Sequence, residues 1–306
     1  MPLDPLLEQY LAQIPVRPVE VVDHGLMRQR AEAMMPAIVG PAGADEVASV
    51  EEREIDGPAG AMPVRIYRPA TAANGVMHFI HGGGWHAGSL VTIDHTARRI
   101  CRTLSMVVVT SKYRLAPEHP FPAAFEDSLA AAKWVLRYAE DLADGPVVVG
   151  GDSAGGNLAA AVCLAMRRGE SFGAQLLLYP AVDLRESAVD YPSRRSNAHP
   201  GFRSEELNSL IEAYAGDCDR ADPRLSPLAA TELGGLPAAL IVVLSVDPLR
   251  DEAVAYARQL IENGTAVELI EFDHLTHGFV DLAGLIPAAA QATATVLDRF
   301  RAMIGV

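Results

Sequence analysis

A serine stands between glycines in the stretch Gly151-Asp152-Ser153-Ala154-Gly155, directly after the apolar run PVVVGG and before a helical segment. This is a GxSxG pattern at a strand-to-helix junction, where glycines allow a tight turn and the serine hydroxyl projects at the helix N-terminus. The alternative is an ordinary N-cap serine in a glycine-rich turn. Together with the residues described next, the pattern favours Ser153 as a nucleophile.

A serine hydroxyl is a weak nucleophile unless a neighbouring base takes its proton, so Ser153 requires a base and an acid further along the chain. Asp247 follows the apolar run AALIVVLSV, and His277 lies in DHLTHGF after the run AVELIEF. Because both loops follow buried strands, we expect Asp247 and His277 to converge on Ser153 at one edge of a sheet. Taken singly, the aspartate could instead cap the next helix, and the histidine could belong to a surface turn.

Three neighbouring residues compete for these roles. Asp251 and Glu252 follow Asp247 within a turn, where the helix dipole favours acids, and we interpret them in that way. His274 lies three residues before His277 and could join it in a metal site, but the sequence has no third ligand at a spacing typical of metal-binding motifs. We therefore predict no metal. We choose His277 as the base because the base needs free reach to Ser153 and because Gly278-Phe279 follows His277 in a way that resembles a family motif described below. Whether His274 affects that base stays open.

The run HGGGW, His81 to Trp85, follows the apolar stretch GVMHFI and allows two interpretations, a phosphate cradle or a loop of donors for an oxyanion. A P-loop needs lysine after its last glycine, and none follows here; a GxGxxG fingerprint is absent as well. Backbone N–H groups that must lie about 3 Å from an oxyanion would be blocked by side chains, which explains the glycines. We therefore predict Gly83 and Gly84 as donors, with the Ala154 amide as the third.

Bulk composition limits the partners. The 306 residues include 25 lysines and arginines against 39 aspartates and glutamates, a formal charge of -14. This charge argues against nucleic acid or an anionic membrane surface, and a small neutral substrate fits better. The three cysteines (Cys101, Cys163, Cys218) show no CxxC spacing, so we expect neither a disulfide framework nor a zinc site. We also predict no cofactor.

The N-terminus MPLDPLLEQY carries acids where a secretory signal has positive charge, and the apolar runs are shorter than a membrane span. We therefore expect a cytoplasmic protein without integral membrane association. A homodimer stays open.

The elements that must position these residues alternate along the chain. Residues 1–45 show helical spacing and predict an N-terminal cap segment, either a lid or a packing layer. Over residues 46–306, the predicted catalytic domain, a hairpin is followed by short continuous apolar runs that alternate with helical segments. This is typical of a mostly parallel sheet flanked by helices, an α/β fold. From about 183 to 228 the alternation breaks around SEELNSLIEAYAG, and we expect a cap insertion above the strand ends.

The motifs HGGGW, YRLAPEHPFPAA, GDSAGGNLA, DPLRDE and HGF occur in this order. With them the chain resembles the bacterial hormone-sensitive-lipase-like family of α/β hydrolases over roughly residues 60 to 300. The resemblance implies an α/β-hydrolase fold with a helical cap, and a carboxylesterase for short- to medium-chain acyl esters. The implied triad is Ser153, Asp247 and His277. The implied oxyanion hole is Gly83, Gly84 and Ala154, supported by His81, Gly82, Trp85 and Asp152. The family often has glycine where this sequence has His274.

The expected chemistry is two-step acyl transfer, in which His277 takes the proton of Ser153 and Asp247 holds the imidazole tautomer. An amidase or peptidase would use the same triad with a different pocket. A ligand-binding receptor of this fold would have lost hydrolysis and would be expected to lack a triad member, whereas this chain retains all three. The preferred acyl length, the stereochemical preference and the physiological ester depend mostly on the cap segments.

Overall fold

The computed structural model describes residues 2–14, 23–40, 44–169, 172–197 and 202–306. The strands are β1 Ser49–Gly57, β2 Gly60–Arg68, β3 Val76–Ile80, β4 Val107–Ser111, β5 Val147–Asp152, β6 Ala174–Leu178, β7 Ala238–Leu244 and β8 Val267–Phe272. The helices are α1 Pro5–Leu11, α2 His24–Val39, α3 Asp94–Leu104, α4 Ala123–Arg137, α5 Ala139–Leu142, α6 Ala154–Met166, α7 Pro192–Ser196, α8 Ser204–Ala215, α9 Arg250–Glu262 and α10 Pro287–Ile304. Short 3-10 helices span Glu186–Asp190, Pro227–Ala229 and Phe279–Gly284.

Within the described residues the strands form one eight-stranded sheet in the order β1-β2-β4-β3-β5-β6-β7-β8. β2 runs antiparallel to β1 and to β4, and the other neighbouring strands are parallel. From β3 the chain crosses to β4 on one side and then to β5 on the other. The loops after β3 and β5 therefore diverge at a topological switch point, where open α/β sheets place their sites.

Side chains alternate between the two faces of the sheet, as the pleat of a strand requires. Ile80 and Val149 belong to a core that includes residues of α4, α6 and α9. Phe79 and Val148, each one residue earlier, belong to the opposite core with residues of α1, α3 and α10. Burial on both faces is why β3, β4 and β6 are buried along their whole length. The prediction of a mostly parallel sheet flanked by helices is confirmed.

The helices differ from the sequence predictions in detail. The stretch 121–142, predicted as one helix, is divided into α4 and α5 at Tyr138, whose φ of -108° and ψ of 14° depart from helical values. Between β6 and β7 the structure contains α7 in addition to the predicted α8. Because α7 has only five residues, it is too short to show helical periodicity in the sequence.

The two predicted cap segments are only partly described. Of residues 1–45, the positions 1, 15–22 and 41–43 lie outside the described residues, as do 198–201 of the insertion. In the described part, α1 packs Leu7 and Leu11 into the core beside α10. The division into cap segments and a catalytic domain stays a prediction.

Candidate active site

Ser153 occupies a strained turn between β5 and α6. Its φ of 54° and ψ of -119° are values that residues with a side chain rarely adopt. The turn fits because glycine stands on both sides. A Cβ on Gly155 would collide with the carbonyl oxygens of Ile80, the last residue of the neighbouring strand β3, and of His81, which follows it. A Cβ on Gly151 would collide with the carbonyl of Gly155. These two glycines allow the turn to form against β3, with Ser153 at the carboxyl edge of the sheet.

The structure brings the three predicted triad residues together. Ser153 Oγ donates to Nε2 of His277 at 2.8 Å, and His277 Nδ1 donates to Oδ2 of Asp247 at 2.7 Å. Because a carboxylate can only accept, the imidazole carries its proton on Nδ1 and Nε2 is left free to accept. The arrangement can pass a proton from the serine to the histidine.

Asp247 is fully buried, and both of its carboxylate oxygens are engaged. Oδ2 meets the histidine, while Oδ1 accepts the amide of Leu249 at 2.9 Å, so the side chain also caps the turn into α9. Asn197 donates its Nδ2 to the main-chain carbonyl of Asp247 at 3.1 Å. Asp247 can therefore both orient His277 and cap the turn into α9, because each role uses a different carboxylate oxygen.

The acids that follow Asp247 have other partners. Asp251 accepts the amide of Ser193 at 2.9 Å. Glu252 is buried and forms an ion pair of 2.6 Å with Arg194; burial raises the pKa of Glu252 to about 7, although the guanidinium opposes this. His274 pairs with Asp273 at 3.2 Å, with 41% of its side chain exposed. The contacts of Asp251 and Glu252 thus join the β6–β7 connection to α9.

Two aromatic rings flank the imidazole of His277. Phe202 stacks on it with ring centroids 4.0 Å apart and an angle of 13° between the planes. Tyr179 lies 4.7 Å away at 57° and is buried. The sequence analysis did not identify either residue. Tyr179 directly follows β6, a strand-end position that could have marked it, whereas no local pattern connects Phe202 with the histidine.

The glycine loop lies beside this turn. Gly83 and Gly84 have φ values of 112° and 61°, in the region that favours glycine, so a side chain at either position would be strained. Ala154 is the first residue of α6, and an amide at that position has no acceptor within its own helix. The two glycines and the first amide of α6 therefore lie where the loop after β3 meets the turn after β5.

Asp152 links that loop to the nucleophile turn. Its Oδ1 accepts the amide of Gly82 at 2.9 Å, and a Cβ on Gly82 would collide with the same carboxyl group. Burial, assisted by the negative charge of Asp281, raises the pKa of Asp152 to about 8. Glycine at position 82 is thus explained by close approach to Asp152.

His81 and Trp85 bracket the glycines and are both buried. The imidazole of His81 donates Nδ1–H to the carbonyl of Gly82 at 2.8 Å, and Tyr113 donates its hydroxyl to the His81 carbonyl at 3.0 Å. Burial lowers the pKa of His81 to about 4, so its ring is neutral near pH 7. Trp85 stacks on Tyr214 of α8, with centroids 4.6 Å apart and nearly parallel planes. Both side chains therefore hold the loop from its two ends.

Among the described residues, no cluster of three or more histidine, cysteine, aspartate or glutamate side chains could hold a metal ion. The described helices also include none with the length and apolar character needed to cross a bilayer.

The strand order and the turn after β5 define the class, an α/β hydrolase. The sequence matches the α/β hydrolase fold family over residues 77–281. It is 40% identical over 320 residues to the carboxylic ester hydrolase LipN of Mycobacterium tuberculosis, covering 98% of this chain and 83% of that protein. It is 30% identical to an ethyl acetate hydrolase of Pseudomonas putida, covering 97% and 98% of the two chains. An esterase structure from Pyrobaculum calidifontis superposes with a TM-score of 0.91 at 34% identity, covering 99% of each chain.

The chain belongs to the α/β hydrolase family, in its hormone-sensitive-lipase-like group, and is a carboxylic ester hydrolase. The predicted fold class and enzyme class are confirmed.

Proposed function

We propose that the protein is a serine esterase that hydrolyses neutral esters of short- to medium-chain acids through an acyl-enzyme. The observation that carries this proposal is the relay from Ser153 Oγ to His277 Nε2 at 2.8 Å and from His277 Nδ1 to Asp247 at 2.7 Å. Hydroxyl, imidazole and carboxylate in this order are what activation of a serine requires.

In the first step Ser153 Oγ attacks the ester carbonyl carbon while its proton passes to His277 Nε2. The carbonyl oxygen becomes an oxyanion and accepts hydrogen bonds from the amides of Gly83, Gly84 and Ala154. When the tetrahedral intermediate collapses, the C–O bond to the alcohol breaks and His277 returns the proton to the leaving alkoxide. A water molecule then gives a proton to His277 while its oxygen attacks the acyl carbon. When this second tetrahedral intermediate collapses, the bond to Ser153 Oγ breaks and His277 returns the proton to that oxygen, which releases the carboxylic acid and free serine.

Charge and lining support the substrate class. The formal charge of -14 disfavours anionic substrates, and the apolar side chains Phe202 and Leu210 border the histidine and Gly84. The name of the Pseudomonas putida relative, an ethyl acetate hydrolase, is consistent with a short acyl group. A cytoplasmic location and a homodimer remain predictions.

The test is hydrolysis of p-nitrophenyl esters with two to twelve acyl carbons by the wild type and by Ser153→Ala. Ser196→Ala, an exposed serine outside the triad, is the matched control. We expect activity to peak at short or medium chains, to disappear in Ser153→Ala and to persist in Ser196→Ala. A p-nitrophenyl phosphonate should label the wild type once, on the peptide that contains Ser153.

Activity retained by Ser153→Ala, or label found elsewhere, would contradict the proposed nucleophile. Faster cleavage of matched p-nitroanilides than of the esters would instead indicate an amidase. A wild type that binds the esters without cleaving them would indicate a receptor.

A further inference from the structure

A histidine next to the glycine loop connects three parts of the chain that are distant in sequence. His86 is fully buried. Its Nε2 lies 2.8 Å from the carbonyl oxygen of Leu210 on α8, and its Nδ1 lies 3.0 Å from Nδ1 of His24, the first residue of α2. The centroids of the two imidazole rings are 4.5 Å apart. The His86 side chain thus contacts both α2 and the β6–β7 connection.

These contacts determine where the protons are. A carbonyl oxygen can only accept, so Nε2 of His86 carries a hydrogen and donates it to Leu210. A neutral imidazole with its proton on Nε2 has an acceptor at Nδ1, so His24 donates from its own Nδ1. If His86 were protonated, its Nδ1 would also be a donor, and His24 could pair with it only by moving its own proton to Nε2 and accepting at Nδ1. We call the contacts from His24 through His86 to the Leu210 carbonyl the bridge. Its donors and acceptors have this arrangement only while His86 is neutral.

The helix α2 is held close to His86 by an arginine. Arg28 donates Nε to the main-chain carbonyl of His86 at 2.6 Å and Nη2 to the carbonyl of Ala116 at 2.7 Å. Its guanidinium also pairs with both carboxylate oxygens of Glu118, at 2.8 and 2.7 Å. His24 is therefore presented to His86 by a helix that is fixed at several points.

The other end of the bridge lies over the proposed oxyanion hole. A Cβ placed on Gly84 would lie 2.7 Å from Cδ1 of Leu210, so the leucine side chain covers this glycine directly. The same leucine provides the carbonyl that His86 holds. Moving α8 away would uncover Gly84 and admit water to the place where an ester carbonyl would bind.

We propose that His86 is a positioning residue for ester hydrolysis: paired with His24, it holds α8 so that Leu210 closes the site above Gly84. The kinetic part of this inference rests on the proposed function, because it assumes that the ester carbonyl binds beside Gly84. The structural part, that the histidine pair holds α8, does not depend on it.

The surroundings of His86 keep it in the required form. The charged and titratable groups that face it are His24 and Arg28 from α2 and Glu118 from the loop after β4, while α8 contributes the Leu210 carbonyl. Burial lowers the pKa of His86 to about 4, with His24 and Arg28 acting in the same direction and Glu118 and the carbonyl opposing it. His86 is therefore neutral near neutral pH, in the form that accepts from His24 at Nδ1 and donates to Leu210 from Nε2.

The chain contains a reporter for the position of α8. Trp85 stacks on Tyr214 of α8, and the chain has one other tryptophan, Trp134, which lies beside Tyr138. In a Trp134→Phe background, acrylamide quenching of the remaining tryptophan measures whether α8 still covers it. The full-length chain is used for this measurement and for the kinetics.

The decisive variants change His24, which is only half-buried, so that folding is preserved. His24→Leu removes the donor, whereas His24→Asn retains an N–H at a similar reach. His119→Gln is the matched control, since His119 is exposed in the same cleft of about 520 Å³ as Arg28.

For His24→Leu we expect KM for a p-nitrophenyl ester at pH 8 to rise about 3- to 10-fold, the effect of losing one hydrogen bond. We expect kcat within about twofold of wild type, because the triad is untouched. Quenching of Trp85 at pH 8 should be greater in this variant than in the wild type. His24→Asn should restore both properties, and His119→Gln should change neither.

Wild-type KM and quenching in His24→Leu would overturn the proposal. So would a change in KM without a change in quenching, or in quenching without a change in KM, because the proposal requires the two to move together. Failure of His24→Asn to restore them would show that the hydrogen bond is not the cause. The quenching experiment needs no turnover, so it remains informative if Ser153 proves not to be the nucleophile.

Discussion

Replacement of Asp247 by asparagine tests the proposed relay most sharply, because it keeps the shape of the side chain and changes only one atom. Asp247 Oδ2 accepts from His277 Nδ1 at 2.7 Å, and Oδ1 accepts from the amide of Leu249 at 2.9 Å. Both sites therefore need an acceptor, and asparagine has only one. Its amide nitrogen must face either the histidine or the Leu249 amide.

The orientation in which the asparagine nitrogen faces the Leu249 amide has the higher free energy. It would place two N–H donors against each other at a fully buried position, and a buried unsatisfied donor costs about 1–3 kcal/mol. We therefore expect the oxygen of the introduced asparagine to stay on the Leu249 amide and its NH₂ group to donate to His277 Nδ1. The imidazole proton then moves to Nε2, and the ring can no longer accept the proton of Ser153.

The expected loss in kcat is on the order of 10⁴, the effect of the corresponding change in a serine protease triad. At about 1.36 kcal/mol per factor of ten, this is about 5 kcal/mol of transition-state stabilisation. The assay is p-nitrophenyl ester hydrolysis at pH 8, with thermal unfolding to show that the variant is folded. Asp251→Asn is the control, since Asp251 bonds to the Ser193 amide and should keep activity near wild type.

A folded Asp247→Asn variant with a kcat within about tenfold of wild type would refute the assigned tautomer. An equal loss in Asp251→Asn would show that the effect comes from disturbing the start of α9. Either result would remove the main support for the relay.

The remaining predictions concern the scaffold of the site. Gly155→Ala should lower the free energy of unfolding by about 3 kcal/mol or more, because the added methyl meets backbone rather than a mobile side chain. Gly169→Ala, where the nearest atom would be 4.0 Å away, should be tolerated, and thermal or urea unfolding compares the two. Arg194→Met should cost about 3–5 kcal/mol in urea unfolding, because it leaves the buried Glu252 without its cation. Asp152→Asn should change how stability depends on pH, as measured by unfolding between pH 4 and 8.

The sign of the Asp152 effect follows from its raised pKa. The unfolded chain loses this proton near the ordinary aspartate pKa of 3.8, whereas the folded chain keeps it up to about pH 8. The folded state therefore binds more protons between these values, and this group makes the wild type less stable as the pH rises. Relative to wild type, Asp152→Asn should thus gain stability from pH 4 to pH 8. A constant difference across that range would contradict the raised pKa.

The residues that the sequence predicted differ from those that it missed in whether neighbouring residues along the chain set their structural requirements. Ser153, its two glycines and the HGGGW loop were readable because a tight turn and a close approach impose requirements within a few adjacent residues. Asp247 and His277 were readable because each directly follows a buried strand, and the ends of parallel strands meet at one edge. Their convergence, over 30 and 124 residues of separation, follows from the sheet.

The residues that were missed come from segments outside the regular alternation. Phe202 belongs to the β6–β7 connection, and His24 reaches His86 across 62 residues of sequence from a helix that precedes β1 in the chain. Such contacts depend on how helices pack over the sheet, and packing leaves no periodic mark in a single sequence. The division of 121–142 at Tyr138 escaped for a related reason, because apolar spacing continues through the break.

The concentration of glycine at this edge has a consequence for how the site works. Ser153 is held in a conformation that costs about 1–3 kcal/mol, and such strain persists only where the surroundings determine it. Here the surroundings are backbone: Gly155 against β3, and Gly82 against the Asp152 carboxyl, whose hydrogen bond joins the donor loop to the serine turn. The nucleophile and the proposed donors are thus parts of one block and cannot shift independently. An oxyanion hole is effective only if its donors are in place before the charge develops. The contacts that hold the strained turn also fix the proposed donors relative to Ser153, so this condition is met before the reaction begins.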